Sequence, residues 1–311
     1  MDLAEIPVLS FDTDRENLPA LIGESFRTFG FAMIRDHGID QPLIDRAWEL
    51  TRRFFALSVE TKMKYFIPGH AGARGYTPFR TEVAKGATEK DLKEFWHVGR
   101  DLPIDPPLTA TMPLNVWPEE IDGFRETFTQ LYAQFDKAGT GILSAIATDL
   151  GLDPHWFDPA IEDGNSVLRL LHYPPVSESK GGAIRAGAHE DINLITLLLG
   201  AEEAGLELLS KNGEWLSIAP PVGALVVNIG DMLQRVTNHV LPSTTHRVRN
   251  PSGERAAHSR YSMPFFLHLR SDFRFETLPG CISANNPDRY PDAITADDYL
   301  QERLREIGLK T

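Results

Sequence analysis

The spacing of apolar residues changes near Ser166, and that change limits the fold more than any other feature. Before it, apolar residues recur at helical intervals. The stretch "RENLPALIGESFRTFG" puts Leu18, Leu21, Ile22, Phe26 and Phe29 on one helical face, with Gly30 placed to end the helix. "QPLIDRAWELTRRFFAL" repeats the pattern through Ile44, Ala47, Trp48, Thr51, Phe54 and Phe55, and Pro42 suits its first turn. A third helical pattern runs from Pro118 to Leu152 through Phe124, Phe128, Leu131, Phe135, Ile142, Leu143 and Ile146. After Ser166 the apolar segments are short and divided by Gly, Pro, Asn and Asp. "VLRLLHYP", "GLELLSKNGEWLSI", "GALVVNIGDMLQRVTN" and "TTHRVRNPSGERAAHSRYSMPFFLHL" read as a series of strands, with Asn212-Gly213 supplying positive φ angles to a hairpin turn. Such a series predicts a sandwich or a jelly-roll barrel, followed by one amphipathic helix in "ITADDYLQERLREIG". The Gly- and charge-rich stretch from Gly69 to Asp101 is too long and irregular for a simple connector.

The chain has 311 residues, enough for one large domain or two modest ones. Its net charge of −13 argues against a nucleic-acid or anionic-membrane surface, because phosphate binding needs concentrated Lys and Arg. Any anionic ligand is then bound by a few placed arginines. Cys281 is the single cysteine, which excludes an intrachain disulfide, a multi-thiolate zinc site and an iron–sulfur cluster. A metal would need His, Asp or Glu. The opening "MDLAEIPVLSF" has no basic, long apolar leader and no run approaches a membrane span, so a cytoplasmic enzyme is expected.

"AGAHEDINLITLLLG", residues 186–200, is a strand pattern with a polar mouth. Alternation along a strand puts His189 and Asp191 on one face and Glu190 on the other. These residues are either a solvated strand end or two ligands of a cation. "STTHRVRN" offers a third ligand, His246. If this run pairs with "AAHSRYSMPFF" about Ser252, then His246, Arg260 and Ser262 share a face. Two His and one carboxylate with open positions suit non-haem iron(II) rather than structural zinc. Arg260 and Ser262 form the only Arg-x-Ser in the chain, a guanidinium fork plus hydroxyl that suits a carboxylate or an ordinary surface ion pair. Tyr173 in "LHYPP" either donates to the same ligand or packs. The rival histidines are His37 and His239, in turn-like sequences, and His258 and His268, which flank Arg260 as core or surface residues.

Eight segments occurring in order, "FGFAMIRDHGI", "GARGYTP", "DLKEFWHVGRDLP", "LRLLHYPP", "GAHEDINLITLLL", "WLSIAPPVGALVVNIGDMLQRVTN", "STTHRVRNP" and "RYSMPFF", resemble the isopenicillin N synthase-like family of iron(II)- and 2-oxoglutarate-dependent dioxygenases. The resemblance implies an α+β fold, with a double-stranded β-helix (jelly-roll) core, a helix-rich N-terminal region packed around it and a C-terminal helix. It divides the chain into residues 1–160, 161–272 and 273–311. It further implies that His189, Asp191 and His246 bind Fe(II), that Arg260 and Ser262 bind the distal carboxylate of 2-oxoglutarate, and that Tyr173 assists there. Asn228, Gly230 and Asp231 match a family turn, read as architecture.

The chemistry implied is oxidative decarboxylation of 2-oxoglutarate with O2 to succinate and CO2, coupled to hydroxylation, desaturation or ring formation on a small molecule. The loop "GARGYTPFRTEVAKG" makes Tyr76, Arg80 and Glu82 candidates for substrate contact, against the alternative of an ordinary polar loop. Three rival activities stand beside this one: ethylene/succinate-forming fragmentation of 2-oxoglutarate, an isopenicillin N synthase-like oxidase using no 2-oxo acid, and a metal-binding sensor or binding barrel. The expected partner is a small-molecule substrate, without nucleic acid or membrane, the chain being a monomer or weak homodimer.

Overall fold

Gly30 ends the first helix as its position suggests. In the computed structural model, which describes residues 5–69, 72–82, 90–101, 112–175, 185–199, 205–251 and 253–306, α1 spans Leu18–Phe29 and buries Leu18, Ile22 and Phe26. Gly30 takes φ of 70°, and its N–H closes on the Phe26 carbonyl. Helix α2 (Gln41–Phe55) carries its proline in the first turn and buries Ile44, Ala47, Leu50, Thr51, Phe54 and Phe55. The short α3 (Val59–Met63) is capped by Ser58, whose hydroxyl accepts from the Thr61 N–H. Helix α4 (Phe124–Asp149) begins later than the apolar pattern: Gly123, at φ of 77°, precedes it, so residues 118–122 lie outside. A single turn, α5 (Asp158–Ile161), follows.

The strands of the two larger sheets are β1 (Val8–Ser10), β2 (Phe31–Arg35), β3 (Gly75–Thr77), β4 (Glu94–Gly99), β5 (Val167–Tyr173), β6 (Ala186–His189), β7 (Ile195–Leu199), β8 (Leu206–Leu209), β9 (Trp215–Ser217), β10 (Leu225–Ile229), β11 (His246–Val248) and β12 (Arg260–Leu267). Among the described residues, eight form one sheet in the order β1-β2-β10-β7-β12-β5-β4-β3, and four form a second in the order β6-β11-β8-β9. One face of the larger sheet, through Leu168, Leu170, Leu197, Val227 and Phe265, shares a core with Ile22, Phe54, Phe128 and Phe135 of the helices. Its other face, through Phe95, Leu171, Tyr173 and Val226, packs on Ala186, Leu206, Leu208 and Val248 of the smaller sheet. Central strands of the larger sheet are buried on both faces, which is why they read as apolar runs rather than as alternation. The result is the expected jelly-roll, with helices on its outer face; α6 (Asp231–Val236) and the C-terminal α7 (Ala296–Glu306) complete it.

Four local expectations change. The run from Ala186 to Leu199 is two strands in different sheets: the chain leaves the smaller sheet after His189 and enters the larger one at Ile195. The apolar Ile195–Leu199 is buried between β10 and β12, whereas the polar mouth is the crossing itself. The expected pairing of residues 246 and 258 does not form. His246 sits opposite His189 and Leu208, and Arg260 opposite Tyr173, so β11 and β12 lie in opposite sheets with a 3-10 turn (Gly253–Ala257) between them. In the β8–β9 hairpin, Ser210 and Glu214 close a three-residue loop in which Gly213, at φ of 80°, supplies the positive φ; Asn212 does not. Finally, "GDMLQRV" is helix α6 rather than strand, and the irregular stretch before residue 101 contains β3 and β4.

Candidate metal centre and cosubstrate pocket

The sheet switch after His189 builds the centre. His189 ends β6, Asp191 lies in the crossing, and His246 starts β11 directly opposite His189. One ligand atom from each of the three lies within 4.8 Å of the others. Nε2 of His189 is 3.9 Å from Asp191 Oδ1, and Nε2 of His246 is 3.9 Å from Asp191 Oδ2. Both imidazoles are oriented from behind. Nδ1 of His189 donates to the Gly187 carbonyl at 2.7 Å, and Nδ1 of His246 to the Thr244 carbonyl at 3.1 Å. Those bonds commit Nδ1–H and leave the Nε2 lone pairs facing inward, as a metal-binding pair requires. Phe31 meets the His246 ring edge-on, with centroids 5.6 Å apart, and closes that side to water.

Asp191 is held as a carboxylate. Burial pushes its pKa up, but His246, His189 and hydrogen bonds from Thr196 (2.6 Å) and Asn228 (2.8 Å) outweigh that and leave it below the usual value. Burial and the neighbouring His246 push His189 down to about 4, so it is neutral at physiological pH, the form that binds metal. Glu190 turns the other way. It is exposed, and its Oε1 accepts from Thr245 at 2.8 Å. The expected separation of the two carboxylates is therefore observed, although the crossing produces it rather than strand alternation.

Further N–H groups secure the crossing. Asp231 N–H donates to the Asp191 carbonyl at 2.7 Å and Gly230 N–H to that of Leu194 at 2.8 Å. A Cβ on Gly230 would lie 2.1 Å from the Asn193 carbonyl oxygen, so only glycine permits this approach. Asn228, Gly230 and Asp231 are thus architecture, and the product of that architecture is the position of Asp191.

Arg260 and Ser262, each 3% exposed, alternate onto the face of β12 that looks into the space between the sheets. The Arg260 guanidinium lies 5.0 Å from the Tyr173 ring centroid, and a second buried arginine, Arg185, lies 6.0 Å from the same ring. Two guanidinium groups around one buried tyrosine supply donors of the kind that an anion takes. Sequence reasoning misses Arg185: a lone arginine in "GGAIRAGA" carries no signal without the fold.

The three loop candidates part company. Glu82 is half-buried and joins Lys93 at 2.9 Å and Arg169 at 3.3 Å. Tyr76 instead faces the helices: it is 1% exposed, packs on Phe54, and donates its hydroxyl to Glu94. Arg80 is exposed and leans over Phe79. The rival histidines stay outside the centre. His37 bonds the Gly223 carbonyl, His239 the Tyr290 hydroxyl and His258 the Glu254 carbonyl, while His268, its pKa pushed down to about 4 by burial, is absent from the cluster.

The donor chemistry fits iron(II): two imidazole nitrogens, one carboxylate, and no thiolate. A jelly-roll that brings two imidazoles and a carboxylate together, with buried arginines in the same core, has the donor set of the non-haem iron oxygenases.

Comparison with known proteins narrows the class. Residues 2–120 match the N-terminal domain model of non-haem dioxygenases in morphine synthesis, and residues 164–269 match the 2OG-Fe(II) oxygenase superfamily. The chain is 34% identical to the 2-oxoglutarate-Fe(II) type oxidoreductase hxnY of Emericella nidulans, over 96% of this chain and 89% of that protein. Among solved structures, a 2OG-Fe(II) oxygenase family protein from Caulobacter crescentus superposes with a TM-score of 0.90 at 54% identity, covering 98% of this chain and 99% of that one. A full-length Neurospora crassa protein crystallised in complex with alpha-KG gives 0.84 at 30% identity, covering 96% and 95%. The chain belongs to the 2OG-Fe(II) oxygenase superfamily, and it is an oxidoreductase that uses Fe(II), 2-oxoglutarate and O2. Among the described residues, no helix is long and apolar enough to cross a membrane.

Proposed function

We propose that the protein oxidises a small organic molecule at an iron held by His189, Asp191 and His246, with 2-oxoglutarate anchored by Arg260, Ser262 and Tyr173. The observation that carries this reading is the convergence of two oriented imidazoles and one buried carboxylate within 4.8 Å, in a core that also encloses Arg260. Iron with 2-oxoglutarate and O2 supplies the oxidant, leaving succinate and CO2 as the other products. The chain's own work is placement. Thr196 and Asn228 hold the Asp191 carboxylate in one orientation, and the Gly187 and Thr244 carbonyls fix the imidazole rings. Arg260 binds the distal carboxylate by charge-assisted hydrogen bonds and so fixes which end of the cosubstrate points at the metal. Phe31, Leu171 and Val226 line the surrounding core and exclude water.

The net charge of −13 favours a small-molecule partner over nucleic acid. A single cysteine suits the reducing cytoplasm, where we place the protein as a monomer or weak homodimer. The test is oxygen uptake and succinate release by the chain with ferrous iron and 2-oxoglutarate, across a panel of candidate substrates. Stimulated, stoichiometric succinate supports coupled oxidation, and ethylene release would favour fragmentation of the cosubstrate. Oxygen uptake that ignores 2-oxoglutarate would overturn the reading.

A further inference from the structure

Beside the centre lies a charged cluster, joined to β6 through Asp91. On β4 and β5, His97 pairs with Arg169 and Phe95 with Leu171, so these four side chains share the face that looks between the sheets. Arg169 occupies what would otherwise be an apolar position. Its Nε donates to Nε2 of His97 at 2.5 Å, and Nη1 and Nη2 reach the two Glu82 oxygens at 3.3 Å each. Its guanidinium lies over the rings of Phe95 (4.2 Å) and Phe266 (5.2 Å). Lys93, 8% exposed, bridges Glu82 and Asp91 at 2.9 Å each.

The cluster is wired to the metal centre. Asp91 accepts from the Gly187 N–H at 3.1 Å, and the Gly187 carbonyl is the group that orients His189. Nδ1 of His97 donates to the Gly72 carbonyl at 2.6 Å, so Nε2 is the acceptor for Arg169 and the ring is neutral. Burial pushes the Glu82 carboxyl up, but Arg169 and Lys93 outweigh it and keep the group ionised. The charges of Glu82, Asp91, Lys93 and Arg169 cancel.

A scaffold gains little from such a group, because apolar replacements for buried ion pairs are often as stable or more so. Among the described residues, its least buried members are also the ones with bonding capacity left. The Arg169 side chain is 19% exposed and that of Glu82 14%, whereas Asp91 and Lys93 are at 8% and 9%. A guanidinium has five N–H donors, and among the described residues three of those of Arg169 are engaged, at 2.5, 3.3 and 3.3 Å. Among the described residues, Lys93 and two Arg169 N–H groups take three of the roughly four acceptor positions of the Glu82 carboxylate. A cation-borne donor and an anionic acceptor therefore stand side by side, the guanidinium set against the Phe95 and Phe266 rings, with no net charge to attract an ion.

We infer that Arg169 and Glu82 form the substrate-recognition subsite, and that the substrate presents an adjacent C=O and N–H, as in a lactam or other cyclic amide. The Arg169 donors bind the carbonyl oxygen and Glu82 accepts the N–H. A neutral amide edge matches both groups, whereas a carboxylate would meet Glu82 and be repelled. The inference rests on the proposed function, since it assigns the substrate of that same centre.

The test is ligand-observed NMR titration of the full chain with Mn(II) and 2-oxoglutarate, using 2-pyridone, N-methyl-2-pyridone and benzoate as probes. Wild-type chain should bind 2-pyridone at least tenfold more tightly than its N-methyl analogue, and benzoate least. Arg169→Met and Glu82→Met should each abolish that preference while 2-oxoglutarate affinity stays unchanged. Equal binding of the two pyridones, or preference for benzoate, in a chain that binds 2-oxoglutarate normally would overturn this inference and leave the function standing. The cluster would then serve to hold Glu82 against β4 and β5. Failure of the wild-type chain to bind 2-oxoglutarate would overturn the function as well.

Discussion

Asn228 donates its side-chain amide to Oδ2 of Asp191 at 2.8 Å, from a strand in the larger sheet to the crossing that leaves the smaller one. Thr196 donates to the same oxygen at 2.6 Å, so Oδ2 is held from two sides. Asn228→Ala should lower metal affinity about 10–100-fold, the usual cost of losing such a support. Calorimetric titration with Mn(II) measures it, and an unchanged affinity would show that Thr196 alone suffices.

Glu190 and Asp191 are adjacent carboxylates with opposite environments, one exposed on Thr245 and one buried between two imidazoles. Glu190→Gln should leave metal binding and succinate release nearly intact. Asp191→Asn should abolish both, because a neutral amide poorly replaces the anionic ligand. Equal losses would mean that the crossing as a unit, not one carboxylate, determines the site.

Arg260→Ala should weaken 2-oxoglutarate far more than iron. Truncating one partner of a buried charge pair costs about 2–5 kcal/mol, or roughly 30- to several-thousand-fold in affinity. Metal titration should remain near wild type. If 2-oxoglutarate affinity survives, the anion is bound elsewhere, with Arg185 the next candidate.

The C-terminal helix reaches the centre through one pair. Arg303 Nη2 is 2.9 Å from Asp231 Oδ2, and the Asp231 N–H holds the Asp191 carbonyl. Arg303→Met should cost about 2–3 kcal/mol, somewhat below the loss expected for a fully buried pair because Arg303 is one-fifth exposed. It should also weaken Mn(II) binding. Stability loss with unchanged metal affinity would confine Arg303 to anchoring the helix.

Acid should destabilise the fold through buried neutral histidines. Burial, aided by Arg169, holds His97 well below its ordinary 6.5, and burial pushes His268 down to about 4. Unfolding returns both to about 6.5, so the unfolded chain binds more protons between these values. Stability is then full above pH 6.5 and falls as pH drops toward 4, by up to about 1.4 kcal/mol per pH unit for each group. Denaturant midpoints against pH measure this. His97→Gln should remove one share of the slope, and an unaltered slope would exclude His97 as a source.

Local structure was legible in the residues themselves. Apolar spacing located α1, α2 and α4, Gly30 stopped the first, and Pro42 opened the second, because helix periodicity and end chemistry are decided within a few residues. His189, Asp191 and His246 could be singled out as ligand types at suggestive spacing, and Arg260 with Ser262 as a carboxylate fork. The means of their meeting could not. Alternation along an imagined continuous strand brought His189 and Asp191 together, and a hairpin between β11 and β12 added His246, but the structure joins these residues by a different geometry. A strand pattern specifies which face is apolar but not which sheet receives it, since that depends on partners far away in the chain. Only the closed jelly-roll decided that the chain changes sheets after His189, that Asn228 and Asp231 support Asp191, and that Arg169, Lys93 and Glu82 come together. Each of those contacts joins segments whose proximity is set by burying the two faces of one sheet, a condition the whole molecule satisfies and no short segment contains.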